Sequence, residues 1–473
     1  KDDFLRDYAF PLKKLFFQQK HVLSAEQERI LANFQATRNI PTSLYQALAI
    51  VDAEDEKVVL SNQEEVTVTQ SNYRSLLTRL KNADDRRIVF EAAFKRYYAN
   101  KTAFAAVYNL VLMQQKANYR SRNHDSALDA ALFKNNIPTA VFHNLKDVAY
   151  ENTGPLKRYI ALRKKHLGLK EYHTYDRFMK LAEDPNTYDF ATAKRLFFRA
   201  IEGMDPNYVR YQRSALEDGF VDALPAEGKR TGAYSSGFYG FHPFILLNHD
   251  ETLSSVFTLA HEAGHSAHSM LANDHQPLAT ADYTIFVAEI ASTFNEHVLL
   301  DDLVEHAETK DQKISLLESA INGILSTFYR QTLFATYEYR ANELVRQGIP
   351  ITADALSNIM IELYQHYYDL DIRKERYKPY VWAYIPHFFH TPFYVYQYAT
   401  SYSASLKIYQ NVRLNKPNAM QDFLGLLKSG GSDYPVNQAA KAGADLTKKE
   451  TFLAVIDRLN ELIDELERTL EAR

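Results

Sequence analysis

Thr258-Leu259-Ala260-His261-Glu262-Ala263-Gly264-His265 places two histidines and a glutamate in a stretch of helical period that Asp250 or Thr252 could cap. One helical turn separates His261 from His265, so both imidazoles can reach one ion from the same face. Glu262, beside the first histidine, is placed to accept a proton from water on that ion instead of binding it. Two histidines fall one protein ligand short of a catalytic zinc site, which takes three and keeps the fourth corner for water. The next strongly helical segment, residues 283–300, holds Glu289 within the apolar run Ile285-Phe286-Val287-Ala288-Glu289-Ile290-Ala291. A carboxylate there is costly to bury unless it meets a positive partner. An ion on the neighbouring helix would be that partner; half of an ordinary buried salt bridge is the alternative. Glu296 lies two turns further along the same face, with Asn295 beside it, and either could orient a ligand imidazole.

The remaining histidines fit this site less well. His268 is one turn beyond His265, but a fourth protein ligand would close the corner that water needs, so it reads as a surface or supporting residue. His242, His249 and His275 have no metal spacing and read as solvated loop histidines. Residues 364–409 hold 11 of the chain's 32 tyrosines. Much of that is expected to be packing, because aromatics are large buried anchors first. Within it, the segment from Trp382 to Ala399 sets a His-bearing turn against a helix, and Tyr394, Tyr398 and Tyr402 share a face at four-residue steps. Polarising a carbonyl leaves an oxyanion that gains from positioned phenol or imidazole donors, each worth on the order of 3 kcal/mol when removed. His387 and Tyr398 are the preferred donors, with Tyr394 a third candidate.

The elements that must position these residues are mainly helical. Glycine and proline each number only 15 in 473 residues, a scarcity that favours long helices. Most stretches from residue 1 to 222 have helical period, as in 84–113. Breaks fall at Asn136-Ile137-Pro138, Asn152-Thr153-Gly154-Pro155 and Asp184-Pro185-Asn186. The texture changes over 226–248, where a Gly- and Ser-rich loop feeds the apolar Pro243-Phe244-Ile245-Leu246-Leu247-Asn248. Such a strand beside a cleft could pair with an extended peptide through main-chain hydrogen bonds; a small structural hairpin is the other reading. The last helix shows a capping-box pattern, Thr447 with Glu450, and an apolar stripe from Phe452 to Leu466. The stripe favours docking onto the same chain over a coiled-coil dimer, and the sequence is compatible with a homo-oligomer. The organisation expected is a helical part, 1–222, and a region carrying the chemistry and C-terminal helices, 223–473, packed as one continuous body.

Composition narrows the class further. Hydrophobic residues make up 46% of the chain and charged residues 24%, enough to bury a large core. A net charge of −4 gives no electrostatic reason to expect a nucleic-acid partner. Cysteine is absent, which removes disulfides, thiol catalysis and cysteine-bound metals, so any metal must be held by His, Asp or Glu. No apolar run reaches the roughly 18 residues needed to cross a bilayer, and Lys1-Asp2-Asp3-Phe4-Leu5-Arg6 carries charge where a secretory segment would be apolar. A soluble cytoplasmic protein without membrane contact is the reading. The first residue is Lys1 and not Met, consistent with an N-terminal piece removed or left out.

Taken together, these segments resemble the M3 family of zinc metallopeptidases, most closely its oligoendopeptidase F branch. The resemblance is carried by His261-Glu262-Ala263-Gly264-His265, by Ile285 through Glu296, by the loop-strand Gly232 through Asn248, by Phe393 through Thr400, and by Lys428-Ser429-Gly430-Gly431-Ser432-Asp433-Tyr434-Pro435. It covers nearly the whole chain. It implies one Zn²⁺ held by His261, His265 and Glu289, Glu262 as general base, and His387 with the tyrosines after it stabilising a tetrahedral intermediate. It also implies a multi-helical saddle or clamshell, with a small β-ribbon beside a deep channel that admits short unfolded peptides. The expected activity is internal cleavage of such peptides; a non-catalytic peptide-binding protein and a metallocarboxypeptidase are the alternatives. Three departures stand out. Relatives of this branch carry a further N-terminal helical segment, so the lid over the channel is expected to be incomplete here. Ser401 stands where glycine is expected, and a gap in the tyrosine stretch relative to distant members leaves both Tyr398 and Tyr394 as candidates.

Overall fold

Few glycines and prolines interrupt the chain, and its helices run accordingly: Ala83–Ala99, Lys101–Ser121, Thr139–Glu151, Gly154–His166 and onward to Lys449–Glu471. The computed structural model describes residues 3–472; the opening Lys1-Asp2 lies outside them. The mainly α class expected from the sequence holds, and all three predicted breaks fall between helices. The periodic stretch 84–113 is divided at Asn100, whose side-chain amide bonds the Arg96 carbonyl at 3.2 Å. The N-terminal part also contains a hairpin that helical periodicity does not anticipate. Strands β1 (Glu56–Val59) and β2 (Glu65–Val68) pair antiparallel, with Glu56 opposite Val68 and Val59 opposite Glu65. Alternating polar and β-branched residues around the Ser61-Asn62-Gln63 turn carry that signal.

Three helices build the scaffold of the candidate site: a motif helix, Leu253–His275, a carboxylate helix, Ile285–Glu305, and a tyrosine helix, Tyr396–Arg413. Thr252 caps the first by accepting the Ser255 N–H at 3.4 Å, and Asp250 in turn accepts the Thr252 hydroxyl at 2.7 Å. The motif and carboxylate helices meet at Gly264. A Cβ there would lie 2.7 Å from Ser292 Cα and 2.8 Å from the Ala291 carbonyl oxygen, so only glycine permits this spacing. The tyrosine helix covers the carboxylate helix and donates the Ser401 and Ser405 hydroxyls to the Phe286 and Ile290 carbonyls at 2.8 and 3.0 Å. Serine at 401 is therefore accommodated by a buried hydrogen bond. Between the first two helices, the turn through Thr280 and Asp282 is held by Gly430 and Gly431; a Cβ on either would collide with a backbone oxygen at 2.4 or 2.1 Å.

The loop over 226–248 does not feed a lone strand. It belongs to a three-stranded sheet in the order β3 (Val221–Asp222), β5 (Phe244–Leu246), β4 (Tyr234–Ser236), in which β5 runs parallel to β3 and antiparallel to β4. This leaves β4 at an edge. At the C-terminus, the apolar stripe from Phe452 to Leu466 is buried against the same chain. The capping box does not form. The helix begins at Lys449, which puts Glu450 one position too early, and the Thr447 hydroxyl donates to Asp445 at 2.6 Å instead. Among the described residues no helix is long and apolar enough to cross a membrane.

A buried carboxyl fixes the entrance to the tyrosine helix. Glu338, 1% exposed on helix Arg330–Arg346, accepts the Phe393 N–H at 2.9 Å, and Phe393 adopts a left-handed φ of 54°. Its second oxygen has no partner among the described residues, and burial raises the carboxyl to about 8.

Two tests follow from these contacts. Gly264→Ala should cost about 2 kcal/mol in denaturant unfolding by forcing the two helices apart. Unfolded Glu338 ionises near 4.5, whereas the folded protein keeps it neutral up to about 8. Stability should therefore fall as pH rises through that window and level off above it. Glu338→Gln, which mimics the neutral acid, should melt near the parent at pH 4.5 and above it at pH 8.5, by an amount on the order of a few kcal/mol. Parallel melting curves for the two proteins at both pH values check this.

Candidate active site

One turn of the motif helix brings His261 and His265 together, with their Nε2 atoms 3.1 Å apart. The close helix contact at Gly264 carries Glu289 in from the side, its Oε2 3.3 Å from His261 Nε2 and 3.6 Å from His265 Nε2. One ligand atom from each residue lies within 4.8 Å of the others. Two imidazole nitrogens and a carboxylate oxygen form the donor set that divalent zinc takes when a corner stays open, so the chemistry of the cluster fits such an ion. Ser292 donates to Glu289 Oε2 at 3.1 Å and steadies its rotamer.

Two further residues of the carboxylate helix hold the arrangement. Glu296 Oε1 lies 2.5 Å from His261 Nδ1, which turns Nε2 toward the cluster. Asn295 is fully buried, donates to the Ala260 carbonyl at 2.8 Å and to Gln212 at 3.0 Å, and accepts from Tyr208. It pins the helix backbone next to His261 and touches neither imidazole. Of the two candidates for orienting a ring, only Glu296 reaches one.

Glu262 is buried against the sheet, with the Ser235 backbone N–H favouring its charged form. Its Oε2 has no hydrogen-bond partner among the described residues. Burial nevertheless dominates and raises the carboxyl, with Glu289 adding repulsion. Burial opposes charge on His261 as well, but Glu289 and Glu296 outweigh it and push that imidazole up to about 10. His265, which burial and the His261 charge both disfavour as a cation, falls to about 4.

Of the three predicted donors only Tyr398 lines the cavity beside the cluster, and the other two pack near its ring. Tyr398 lines a space of about 470 Å³ together with His261, Glu289 and Glu296. His387, on the short helix His387–His390, sits with its ring 6.1 Å from that of Tyr398 and 6.0 Å from that of Tyr394. Tyr394 and Tyr398 pack edge to face at 5.5 Å. Tyr394 precedes the helix, which starts at Tyr396, so the turn at Phe393 and not a helical repeat brings it to its neighbours. Burial, with help from Tyr394 and Glu289, raises the Tyr398 phenol to about 12, so it keeps its proton at neutral pH. Burial and His390 lower His387.

Other histidines sit where the sequence did not put them. His268 is fully buried, stacked on Tyr283 at 3.7 Å with both ring nitrogens unpartnered; it is a core residue because the helix face it shares with Ala267 and Leu271 is packed. His249 is buried as well, with Nε2 2.6 Å from the Tyr188 carbonyl oxygen. His242 is half-buried on Phe220, while His275 is exposed but helical, bonded to the Leu271 carbonyl at 2.9 Å. Sequence reasoning missed Glu338 entirely, since a lone glutamate in a helix shows nothing of the Phe393 turn it holds.

Comparison with known proteins agrees with this architecture. The pattern of peptidase family M3 matches residues 76–458, and that of oligopeptidase F matches residues 1–54. Oligopeptidase PepF of Bacillus subtilis is 33% identical over 98% of this chain and 69% of its own length. An oligoendopeptidase F homolog of Borreliella burgdorferi is also 33% identical, over 99% of this chain and 79% of its own. In three dimensions, a protein from Chlamydophila abortus superposes with a TM-score of 0.92 at 31% identity, covering 99% of this chain and 78% of that one. Oligoendopeptidase-F from Enterococcus faecium superposes with a TM-score of 0.82 at 27% identity, covering 99% and 79%. By helix order, by the cluster at the heart of the fold and by this similarity along nearly its whole length, the chain belongs to peptidase family M3, in its oligoendopeptidase F branch.

Proposed function

We propose that this member of a metallopeptidase family is a zinc-dependent endopeptidase that hydrolyses internal bonds of short, unfolded peptides. The observation that carries the reading is the convergence of His261, His265 and Glu289 beside the unpartnered Oε2 of buried Glu262. The first three residues would hold the ion. When bound there, zinc supplies a Lewis acid for the peptide carbonyl and acidifies water toward a pKa of ~7.

The protein's own groups account for the rest. Glu262 takes the proton from the attacking water and returns it to the departing amine, and a carboxyl raised by burial is suited to both transfers. Tyr398, protonated at neutral pH, donates to the developing oxyanion, with His387 and Tyr394 beside it as further donors. Edge strand β4 lies against the motif helix through the Ser235–Ser266 hydroxyl contact at 2.8 Å. Its edge backbone groups other than the Ser235 N–H, which serves Glu262, would pair with an extended substrate through main-chain bonds, which grip a peptide with little regard to sequence. Exposed Phe238, Phe241 and Phe244 add apolar surface around that edge.

Cleavage of a peptide blocked at both termini should occur at internal bonds, stop with a chelator and return with zinc. Products trimmed only from unblocked ends, or chelator-resistant turnover, would sink the proposal. Glu262→Gln should keep about one zinc per chain by elemental analysis while kcat falls by roughly 10²- to 10⁴-fold. Unchanged turnover would remove Glu262 from the role of base.

A further inference from the structure

A second cavity, of about 490 Å³, lies on the other side of the helical stretch that borders the candidate site, and Gly323 lines both spaces. Its walls carry four cationic side chains, Arg74, Arg177, Arg330 and Lys378, together with Tyr159, Tyr172, Tyr364 and Tyr368. No Asp or Glu lines it. The chain pairs its buried guanidinium groups with carboxylates: Arg86 with Asp176 at 2.8 Å, Arg163 with Glu318, and Arg458 with Asp301. These four cations are different. Among the described residues none has a carboxylate oxygen within 4 Å.

Their close contacts are with phenols and aromatic rings. Arg74 donates to the Tyr73 and Tyr384 hydroxyls at 3.1 and 2.9 Å. Arg177 and Arg330 lie over the Phe178 and Phe334 rings, at 4.6 and 4.8 Å from the centroids. Lys378 is 4% exposed and sits 4.8 Å from the Tyr364 ring centroid. The Tyr364 phenol and the Glu375 carboxylate favour its charge, and Glu375 also accepts the Thr174 N–H at 2.7 Å and the Thr174 hydroxyl. Burial lowers both Lys378 and Arg177, the latter to about 10 with Arg330 adding repulsion. The floor includes the start of the π-helical turn Leu325–Tyr329, a rare geometry frequent at functional sites.

Positive charge gathered around one cavity, with Lys378 buried, Arg177 and Arg330 half-buried and Arg74 exposed, is stabilised when an anion occupies it, because forked and ammonium donors bind oxygens that carry the opposite charge. We propose that this cavity is a binding site for a small oxyanion of the carboxylate or phosphate class. The tyrosine rings give room for a flat or aliphatic body behind the charged group. Two sources share this chemistry, the terminal carboxylate of a bound peptide and a free phosphate-type effector. The site itself stands independently of the peptidase reading.

Inorganic phosphate is the probe, added to the full chain against sodium chloride at matched ionic strength. Phosphate should raise the melting temperature by about 2 °C more than chloride does. Arg330→Gln and Lys378→Met should each abolish that excess. Without phosphate, each variant should melt no lower than the parent, since one repelling cation has been removed. No excess over chloride, an undiminished excess in both variants, or a lower melting point for both variants without phosphate would overturn the site. Turnover of a peptide as free acid and as C-terminal amide identifies the source. A several-fold rise in KM for the acid alone, on adding phosphate and in Arg330→Gln, marks the peptide's own terminus as the occupant; equal effects on acid and amide mark a free anion.

Discussion

The approach of two helix backbones at Gly264 is the constraint on which the site depends. A histidine pair one turn apart is a local product of helical geometry, available to any helix with that spacing. The third ligand candidate is not local. Glu289 comes within 3.6 Å of both Nε2 atoms only because Ser292 and Ala291 sit where a side chain on residue 264 would otherwise be. The glycines at 430 and 431 act on the same geometry from outside, by letting a distant loop clasp the turn that joins the two helices. Residues remote in the chain thus set a distance of a few ångströms at its centre.

Without an ion this cluster is electrostatically awkward, and its neighbours show how it is held. Two ring nitrogens face each other at 3.1 Å, and the half-buried Glu289 carboxylate stands beside them. Glu296 fixes one imidazole through Nδ1, and Asn295 ties the backbone carbonyl just before it. The polar groups are satisfied outward from the centre, leaving the inward-facing atoms free. Glu262 follows the same logic, with one oxygen unpartnered and a backbone N–H of the edge strand favouring its charge. The strand that would hold a substrate therefore also tunes the group that would act on it.

Features governed by short spacing were legible in the sequence, and features governed by tertiary contact were not. The motif at 261–265 and the apolar setting of Glu289 were readable because helix period and burial cost are local arguments. The same arguments misplaced His268 and His249, since nothing in a one-dimensional pattern tells which helix face or loop will be covered. The cap at Thr447 failed by one residue, the ordinary margin on a helix boundary. Tyr394 reached its neighbours by a left-handed turn at Phe393 that Glu338 holds, an arrangement joining residues 55 positions apart. The hairpin at 56–68 is a short alternating pattern set in a stretch of helical texture, and the helical reading of 1–222 passes over it.

The two cavities divide the charge of the protein's interior between them. On one side of Gly323 the walls carry Glu289 and Glu296 together with His261 and the Asp301-paired Arg458, while on the other they carry four cations that among the described residues have no carboxylate within 4 Å. A folded chain of net charge −4 has carboxylates in plenty, and elsewhere it uses them to neutralise buried arginines. Keeping them out of the second cavity opposes stability there, because like charges repel more strongly where solvent screening is weak. An anion from outside would relieve that cost. A cation suits the first and an oxyanion the second, and the helical stretch between them, with its π turn, lies in contact with both.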